Sequence, residues 1–153
     1  MGVALVVLTC LSACGQDSLH NAQGHPIRAQ QWKNKWVFIN VWAPWCHPCH
    51  QEIPALNRFA NNHVGQVLVW GYNFDGPKQA LLKKQIQSLN IHFKVLIEDP
   101  SSVFSLKPTG VVPTTYVINP KGVLVQTLIG PQTFQGLEKV LKQQLAKEPR
   151  EGG

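Results

Sequence analysis

The fold is decided by fourteen consecutive residues, Trp36-Val37-Phe38-Ile39-Asn40-Val41-Trp42-Ala43-Pro44-Trp45-Cys46-His47-Pro48-Cys49. Their first half, residues 36–42, is an almost continuous run of strand-forming apolar residues, which is typical of a strand buried on both faces. Residues 43–45 break the run, and a helical pattern begins near Cys46, with Pro48 in a first turn that tolerates proline. The stretch therefore predicts a buried strand, a turn, and a helix that begins at a C-x-x-C pair.

The elements that follow this stretch alternate between strands and helices. Strands are predicted at residues 67–72, 93–97, 114–119 and 123–129. Pro120-Lys121-Gly122 separates the last two strands, as in a hairpin. Helices are predicted after residues 75–77, at residues 101–106, and after Thr133, whose hydroxyl would cap the last one. This order predicts an α/β fold with a mixed central sheet flanked by helices on both faces.

Length and charge exclude several classes of protein. The chain has 153 residues, enough for one domain. Only 14% of them are charged, against about 25% in a typical globular protein, which excludes charge-driven disorder, a coiled coil and a charged tail. The net charge of +6 is scattered, with Lys83-Lys84 as the only adjacent pair of bases, so no nucleic-acid partner is expected.

The N-terminal segment has the features of an export signal. Residues 3–11 are apolar apart from Thr9 and Cys10, which is the length of a signal-peptide core and too short for a membrane span of about 20 residues. Leu11-Ser12-Ala13-Cys14 resembles the bacterial lipobox, in which cleavage precedes a cysteine that carries lipid. No Lys or Arg precedes the apolar core, which departs from the usual signal. We expect a signal peptide at residues 1–13 and lipidation at Cys14.

The rest of the chain is expected to divide into three parts. Residues 14–26 would be the lipidated cysteine and a polar tether, residues 27–147 the folded domain, and residues 148–153 a disordered tail. Lipidation would anchor the protein in the bacterial cell envelope, facing the periplasm or the cell exterior. Removal of Cys10 and alkylation of Cys14 would leave Cys46 and Cys49 as the only thiols.

The string Cys46-His47-Pro48-Cys49-His50 is compatible with three kinds of site. A redox dithiol needs its first sulfur at a helix N-terminus, where free N–H groups and the helix dipole favour the thiolate. A c-type haem attachment also reads C-x-x-C-H, but the only methionine that could bind haem iron is Met1. A zinc site would need two more ligands, and His63 and His92 are isolated. The strand-turn-helix context favours the redox dithiol, with no metal and no cofactor.

Two motifs resemble the thioredoxin superfamily. Residues 42–49 match its W-A-x-W-C-x-P-C, and Val112-Pro113-Thr114 matches the loop whose proline is cis and faces the dithiol. Within the superfamily, residues 48–54 resemble the P-C-x-x-E-x-P of the TlpA/ResA branch, which comprises exported, membrane-tethered thiol–disulfide oxidoreductases related to the DsbE type. The resemblance implies a thioredoxin fold with an additional α–β segment between about residues 75 and 98.

The resemblance also implies a role for each residue of the site. Cys46 would be the exposed attacking thiolate, and Cys49 would be the resolving thiol. Pro113, in cis, would hold a substrate strand beside Cys46. Substrate binding would involve the residues that flank these positions, Trp45, Val112 and Thr114. Trp45 would also shield the disulfide.

A carboxylate is expected to move protons at the second cysteine. Thioredoxins place a buried aspartate six residues before the first cysteine, where this chain has Asn40, which cannot ionise. Glu52 lies three residues after Cys49, one helical turn further on, and would reach the same space. In the TlpA/ResA branch the corresponding glutamate has that role.

The two residues between the cysteines are expected to tune the redox couple. Pro48 occupies the place it has in thioredoxin, which is a reductant. His47 would donate a hydrogen bond to the Cys46 thiolate, and stabilising a thiolate makes the couple more oxidising. One exposed histidine shifts the potential by only roughly 20 mV, so a reductase is predicted.

The expected function is therefore disulfide reduction outside the cytoplasm, with a link to cytochrome c maturation. The resemblance implies a membrane thiol transporter of the DsbD or CcdA type as the electron donor and protein disulfides or thiols as substrates. A monomer is expected. The alternatives are a disulfide oxidase or isomerase of the same fold and, from another class, a c-type haem-binding carrier.

Overall fold

The computed structural model describes residues 19–147, which form a central sheet with helices on both faces. The strands are β1 (Trp36–Trp42), β2 (Val67–Asn73), β3 (Lys94–Leu96), β4 (Thr114–Ile118) and β5 (Leu124–Ile129). The helices are α1 (His47–Asn62), α2 (Gln79–Ser88), α3 (Ser101–Phe104) and α4 (Phe134–Lys147), and a 3₁₀ turn, Ala29–Gln31, precedes β1. The predicted fold class is confirmed, and every predicted strand and helix is present with small shifts at its ends.

The sheet is mixed, and its strand order is β3-β2-β1-β4-β5. The central strand β1 pairs in parallel with β2, from Trp36 opposite Val67 to Trp42 opposite Asn73. It pairs antiparallel with β4 on its other side. The sheet is completed by the parallel pair β2–β3 and the antiparallel pair β4–β5. Because β1 has a strand on each side and packed layers above and below, nearly all of its side chains are buried, as its apolar run predicts.

Two apolar clusters cover the two faces of the sheet. On one face α1, α2 and α4 pack around Phe38, whose ring meets Phe59 of α1 edge to face with 5.0 Å between centroids. On the other face Trp32 packs against Trp70 and Phe104, at centroid distances of 4.9 and 5.0 Å. This packing places the N-terminus of α1, which carries the cysteine pair, just beyond the C-terminal end of β1.

The predicted additional α–β segment is present as α2 and β3, and β3 forms one edge of the sheet. The prediction that residues 14–26 form a free tether is wrong from Leu19 onward. Leu19 and Ala22 are buried, the Ala22 N–H donates to Val95 O at 2.8 Å, and the Ile97 N–H donates to His20 O at 3.0 Å. The segment forms backbone hydrogen bonds with the open edge of β3. The sequence did not predict this contact, because two buried apolar residues are too few to produce a periodic pattern.

The domain boundary therefore lies at or before Leu19 and not at Ile27. The predicted signal peptide at residues 1–13, the predicted lipidation at Cys14 and the predicted tail at residues 148–153 lie outside the described residues. Within residues 19–147, no helix has the length and apolar character needed to cross a membrane.

Candidate active site

The cysteine pair lies at the N-terminus of α1, as predicted. Cys46 is the N-cap of the helix, with extended backbone angles, and its Sγ accepts the Cys49 N–H at 3.2 Å. The two cysteines form a disulfide with an S–S distance of 2.12 Å. When the disulfide is reduced, the free N–H groups and positive dipole end of the helix favour a thiolate at Cys46.

Cys46 is less exposed than expected. It retains 4% of its surface, and Cys49 retains none. In the disulfide form the Cys46 sulfur is bonded back onto the first turn of α1, and both cysteines belong to the apolar cluster on that face of the sheet. Access to Cys46 is therefore narrow, and access to Cys49 is closed.

The loop that leads into β4 carries the predicted Pro113. The Val112–Pro113 peptide is cis, and Val112 packs against the apolar cluster that contains both cysteines. Thr114 is fully buried, and its hydroxyl donates to Val111 O at 2.7 Å and pairs with the Thr109 hydroxyl at 2.9 Å. Thr114 therefore shapes the loop from inside and has no exposed surface, whereas Val112 is partly exposed.

Trp45 lies outside the core, with 64% of its surface exposed. Its indole Nε1–H donates to the Asp75 carboxylate at 3.0 and 3.3 Å, and its ring meets Phe74 edge to face at 6.4 Å between centroids. Both partners lie immediately after β2. These contacts orient a large apolar surface next to Cys46, and sequence reasoning missed the two partners because they are thirty residues away in the chain.

Glu52 and Asn40 meet behind the disulfide, as the resemblance implies. Glu52 is 1% exposed, and its Oε1 accepts the Asn40 Nδ2–H at 2.7 Å. Its other oxygen accepts the Gln132 N–H at 2.9 Å. Burial raises the pKa of Glu52 to about 7, because desolvation outweighs the two hydrogen bonds, which lower the pKa. Glu52 can therefore gain or lose a proton near neutral pH, one helical turn from Cys49.

Gln132 is a member of the site that sequence reasoning missed. Its N–H binds Glu52, its side-chain Nε2–H donates to Gly130 O at 2.9 Å, and the Gly130 N–H donates to Pro113 O at 2.9 Å. The loop between β5 and α4 thus links the buried carboxyl group to the cis-proline. A backbone donor leaves no mark on the sequence, because every residue except proline carries the same N–H group.

The histidines around the pair point away from the sulfur. His47 accepts a hydrogen bond from Gln51 Nε2 at 3.4 Å, and the His50 Nε2–H donates to Pro44 O at 2.8 Å. The hydrogen bond expected from His47 to Cys46 Sγ is absent from this disulfide form, because the ring follows the helix surface toward the next turn. Pro48 lies in the first turn of α1, as predicted. Within the described part of the chain, no group of three or more His, Cys, Asp or Glu side chains could hold a metal ion.

A dithiol at a helix N-terminus, a cis-proline loop beside it and a buried carboxyl group behind it, on a mixed sheet of this topology, define a thiol–disulfide oxidoreductase of the thioredoxin fold. Residues 13–127 match the AhpC/TSA family, and the chain belongs to that family. The redox interpretation of C-x-x-C-H is thereby preferred to the haem and zinc alternatives.

Known proteins of the same class resemble the chain over most of its length. The thiol–disulfide oxidoreductase ResA of Geobacillus kaustophilus is 29% identical over 125 residues, which cover 81% of this chain and 71% of that protein. The thioredoxin-like protein YneN of Bacillus subtilis is 30% identical over 128 residues, with coverage of 81% and 74%. The crystal structure of a DsbF homologue from Corynebacterium diphtheriae superposes with a TM-score of 0.70 at 22% identity, covering 82% of each chain. The protein is thus an enzyme of the ResA type that carries its redox disulfide at Cys46–Cys49.

Proposed function

We propose that the protein reduces disulfides of other proteins outside the cytoplasm. The observation that carries the direction is the environment of Cys46 Sγ, which among residues 19–147 accepts a hydrogen bond only from the Cys49 N–H. A strongly oxidising couple needs a stabilised thiolate in its reduced form. In the described part of the chain no cationic side chain is hydrogen-bonded to the sulfur, and an ionised Glu52 would disfavour negative charge on Cys49. Both features support a reducing Cys46/Cys49 couple.

The reduction proceeds in two exchanges at Cys46. The Cys46 thiolate attacks a substrate disulfide, forms a mixed disulfide and releases one substrate thiolate, which takes up a proton. Cys49 then loses its proton and attacks Cys46 Sγ, which re-forms the Cys46–Cys49 disulfide and releases the second substrate thiolate, which takes up a proton. Two electrons reach the substrate, and Glu52 accepts the Cys49 proton. Pro113 and Val112 would align the substrate strand during the first exchange.

The cycle needs an external dithiol, because each turnover leaves the pair oxidised. We propose a membrane thiol transporter of the DsbD or CcdA type as the electron donor and secreted protein disulfides as substrates, including those of cytochrome c maturation. The protein would act as a monomer. The proposed anchor is lipid on Cys14, and since Leu19 already belongs to the domain, the chain between them spans at most about 18 Å. The active site would then work close to the membrane surface.

Thiol trapping in the native cell tests the direction. Acid quenching followed by alkylation reports the fraction of Cys46 and Cys49 present as the dithiol. We expect mostly dithiol when the membrane donor is active and mostly disulfide when it is deleted. A disulfide form that dominates despite an active donor would establish the oxidase alternative.

Cell fractionation tests the anchor separately. We expect Cys14→Ala to give unprocessed precursor or protein released from the membrane. Cys10→Ala is the matched control, because it replaces a cysteine that the predicted cleavage removes. Membrane retention of a processed Cys14→Ala protein would contradict the proposed lipid anchor.

A further inference from the structure

A small cavity of about 100 Å³ opens on the sheet face opposite α1. Three aromatic residues line it, Tyr72, Phe74 and Tyr116. The remaining lining comes from Val41, Leu106 and the loops at residues 99–101 and 108–111. Pockets for drug-sized ligands occupy about 300–1,000 Å³, so this cavity is the size for one side chain and not for a free metabolite.

The cavity lies between the two loops that flank the disulfide. Val111 lines it and directly precedes the cis Val112–Pro113 peptide. Phe74 lines it from the other loop and packs against Trp45, which directly precedes Cys46. The cavity is therefore next to both loops that a polypeptide bonded to Cys46 would approach.

The cavity carries a carboxylate that has no cationic partner. Asp99 lines it, and the hydrogen bond that Asp99 accepts comes from the Ser101 N–H at 2.8 Å. Within residues 19–147 no Lys or Arg forms an ion pair with Asp99, not even Lys107, which precedes the cavity-lining loop. No described carboxylate pairs with Lys or Arg, since the two ion pairs among residues 19–147 join His20 to Glu98 and His63 to Glu138. Burial raises the pKa of Tyr72, another lining residue, and the nearby Asp99 charge raises it further.

We propose that this cavity binds a lysine or arginine side chain of the substrate polypeptide, close in sequence to the cysteine that reacts with Cys46. Aromatic faces attract a cation, and the Asp99 carboxylate can pair with it at the cavity mouth. The aliphatic stem of the same side chain would pack against Val41 and Leu106. The proposal rests on the proposed function, because it assumes that a protein disulfide is the substrate.

A peptide panel tests the proposal with the intact protein. Each peptide carries one cysteine as a mixed disulfide with a reporter thiol and has lysine, norleucine or glutamate at one position within three residues of that cysteine. The measurement is kcat/KM for reduction by the wild type and by Asp99→Asn. At one or more positions we expect the wild type to prefer lysine to norleucine by about fivefold and to disfavour glutamate, and we expect Asp99→Asn to reduce the preference below about twofold.

Three controls separate the possible outcomes. Hydroxyethyl disulfide has no side chain for the cavity, so its reduction by the wild type reports the exchange chemistry alone. Glu138→Gln removes an equal charge far from the cavity, where Glu138 pairs with His63, and should leave the lysine preference intact. Asp99→Glu should restore the preference in part. Equal rates for lysine and norleucine peptides, or a preference that survives in Asp99→Asn, would overturn the proposal, whereas failure to reduce hydroxyethyl disulfide would overturn the proposed function instead.

Discussion

Glu52 is the side chain whose ionisation the fold changes most among the described residues. It has a pKa of about 7 because it is buried, and the hydrogen bonds from Asn40 and Gln132 offset only part of the desolvation cost. Its position one turn from Cys49 couples the two groups, since an ionised carboxylate disfavours a second negative charge nearby. Cys49 needs a proton acceptor only while it attacks Cys46. Glu52 can be that acceptor near pH 7, because its carboxyl group titrates there.

Glu52→Gln should alter the pH dependence of exchange. In the wild type we expect the rate of the resolving step to show an inflection near pH 7. Because glutamine cannot accept a proton, Glu52→Gln should lose this inflection and slow the step by about tenfold or more. Rapid-quench measurement of the mixed disulfide between pH 5 and 9 gives the profile.

Asn40→Ala is the matched variant for that prediction. It removes a hydrogen bond that lowers the pKa of Glu52, so the inflection should move to higher pH and not disappear. Identical profiles for wild type and Glu52→Gln would show that the carboxyl group takes no part in the exchange.

Glu52 should also make stability depend on pH. The pKa is 4.5 for the free side chain and about 7 in the fold, so between these values the unfolded chain has lost the proton that the folded protein keeps. The contribution of Glu52 to the free energy of unfolding is therefore fully present below about pH 4.5. It declines by about 3 kcal/mol as the pH rises to 7. Urea unfolding of the oxidised protein at pH 4.5 and 7.5 measures the difference. Glu52→Gln should remove this contribution while the titration of other groups remains, and an unchanged pH dependence would refute the assignment.

The helices α1 and α4 lie on the same face of the sheet and position the residues of the site. The N-terminus of α1 carries the cysteine pair, and the loop before α4 carries Gln132, which binds Glu52. The first turn of α4 is capped by Thr133, whose hydroxyl accepts the Gly136 N–H at 3.0 Å, as the sequence predicted. This cap fixes the position at which the loop ends and the helix begins.

Removal of the cap should loosen the fold by a modest amount. Thr133→Ala leaves an N–H of α4 without its side-chain partner, and we expect a loss of about 1 kcal/mol in the free energy of unfolding. Thr133→Ser is the control, since it keeps the hydroxyl and should restore most of the loss. Urea denaturation at constant pH gives both values, and equal stability of Thr133→Ala and wild type would show that this end of α4 is held by packing alone.

The elements that carry dense local signals could be predicted from the sequence. The apolar run at residues 36–42 predicts a buried strand. Cys46 and Thr133 lie at helix N-termini, where their side chains accept hydrogen bonds from backbone N–H groups. The docking of Leu19 against the sheet could not be predicted, because it depends on backbone groups left open at the edge of β3. The bond from Gln132 to Glu52 is hidden for the same reason, since a main-chain N–H is identical at every position except proline.

The active site lies at one end of the sheet and is flanked by exposed apolar side chains. Four of these side chains are each at least 45% exposed: Trp45, Phe74, Val111 and Ile129. The first two lie near Cys46, Val111 belongs to the cis-proline loop, and Ile129 lies on β5 opposite Thr114 of β4. Two acidic residues, Asp75 and Asp99, also lie at this end. This surface suits an extended polypeptide, which agrees with disulfides of other proteins as substrates.

The redox potential should reflect the weak stabilisation of the Cys46 thiolate. We expect a value between those of thioredoxin and DsbA, about −270 and −120 mV, and nearer to thioredoxin. His47→Ala should change it by less than about 20 mV, since His47 contacts Gln51 and not the sulfur. Equilibration with a thiol couple of known potential provides both values. A potential near that of DsbA would support the oxidase alternative.

The assignment of Cys46 as the attacking thiol is tested by identifying the cysteine that bonds to substrate. Purified, reduced Cys49→Ser is mixed with a protein that contains one exposed disulfide, and the products are separated without reductant and identified by mass spectrometry. We predict a stable one-to-one adduct through Cys46 with Cys49→Ser, and no adduct with Cys46→Ser. An adduct that forms through Cys49 in Cys46→Ser, or the absence of any adduct with Cys49→Ser, would contradict the assignment of Cys46 as the attacking thiol at the N-terminus of α1.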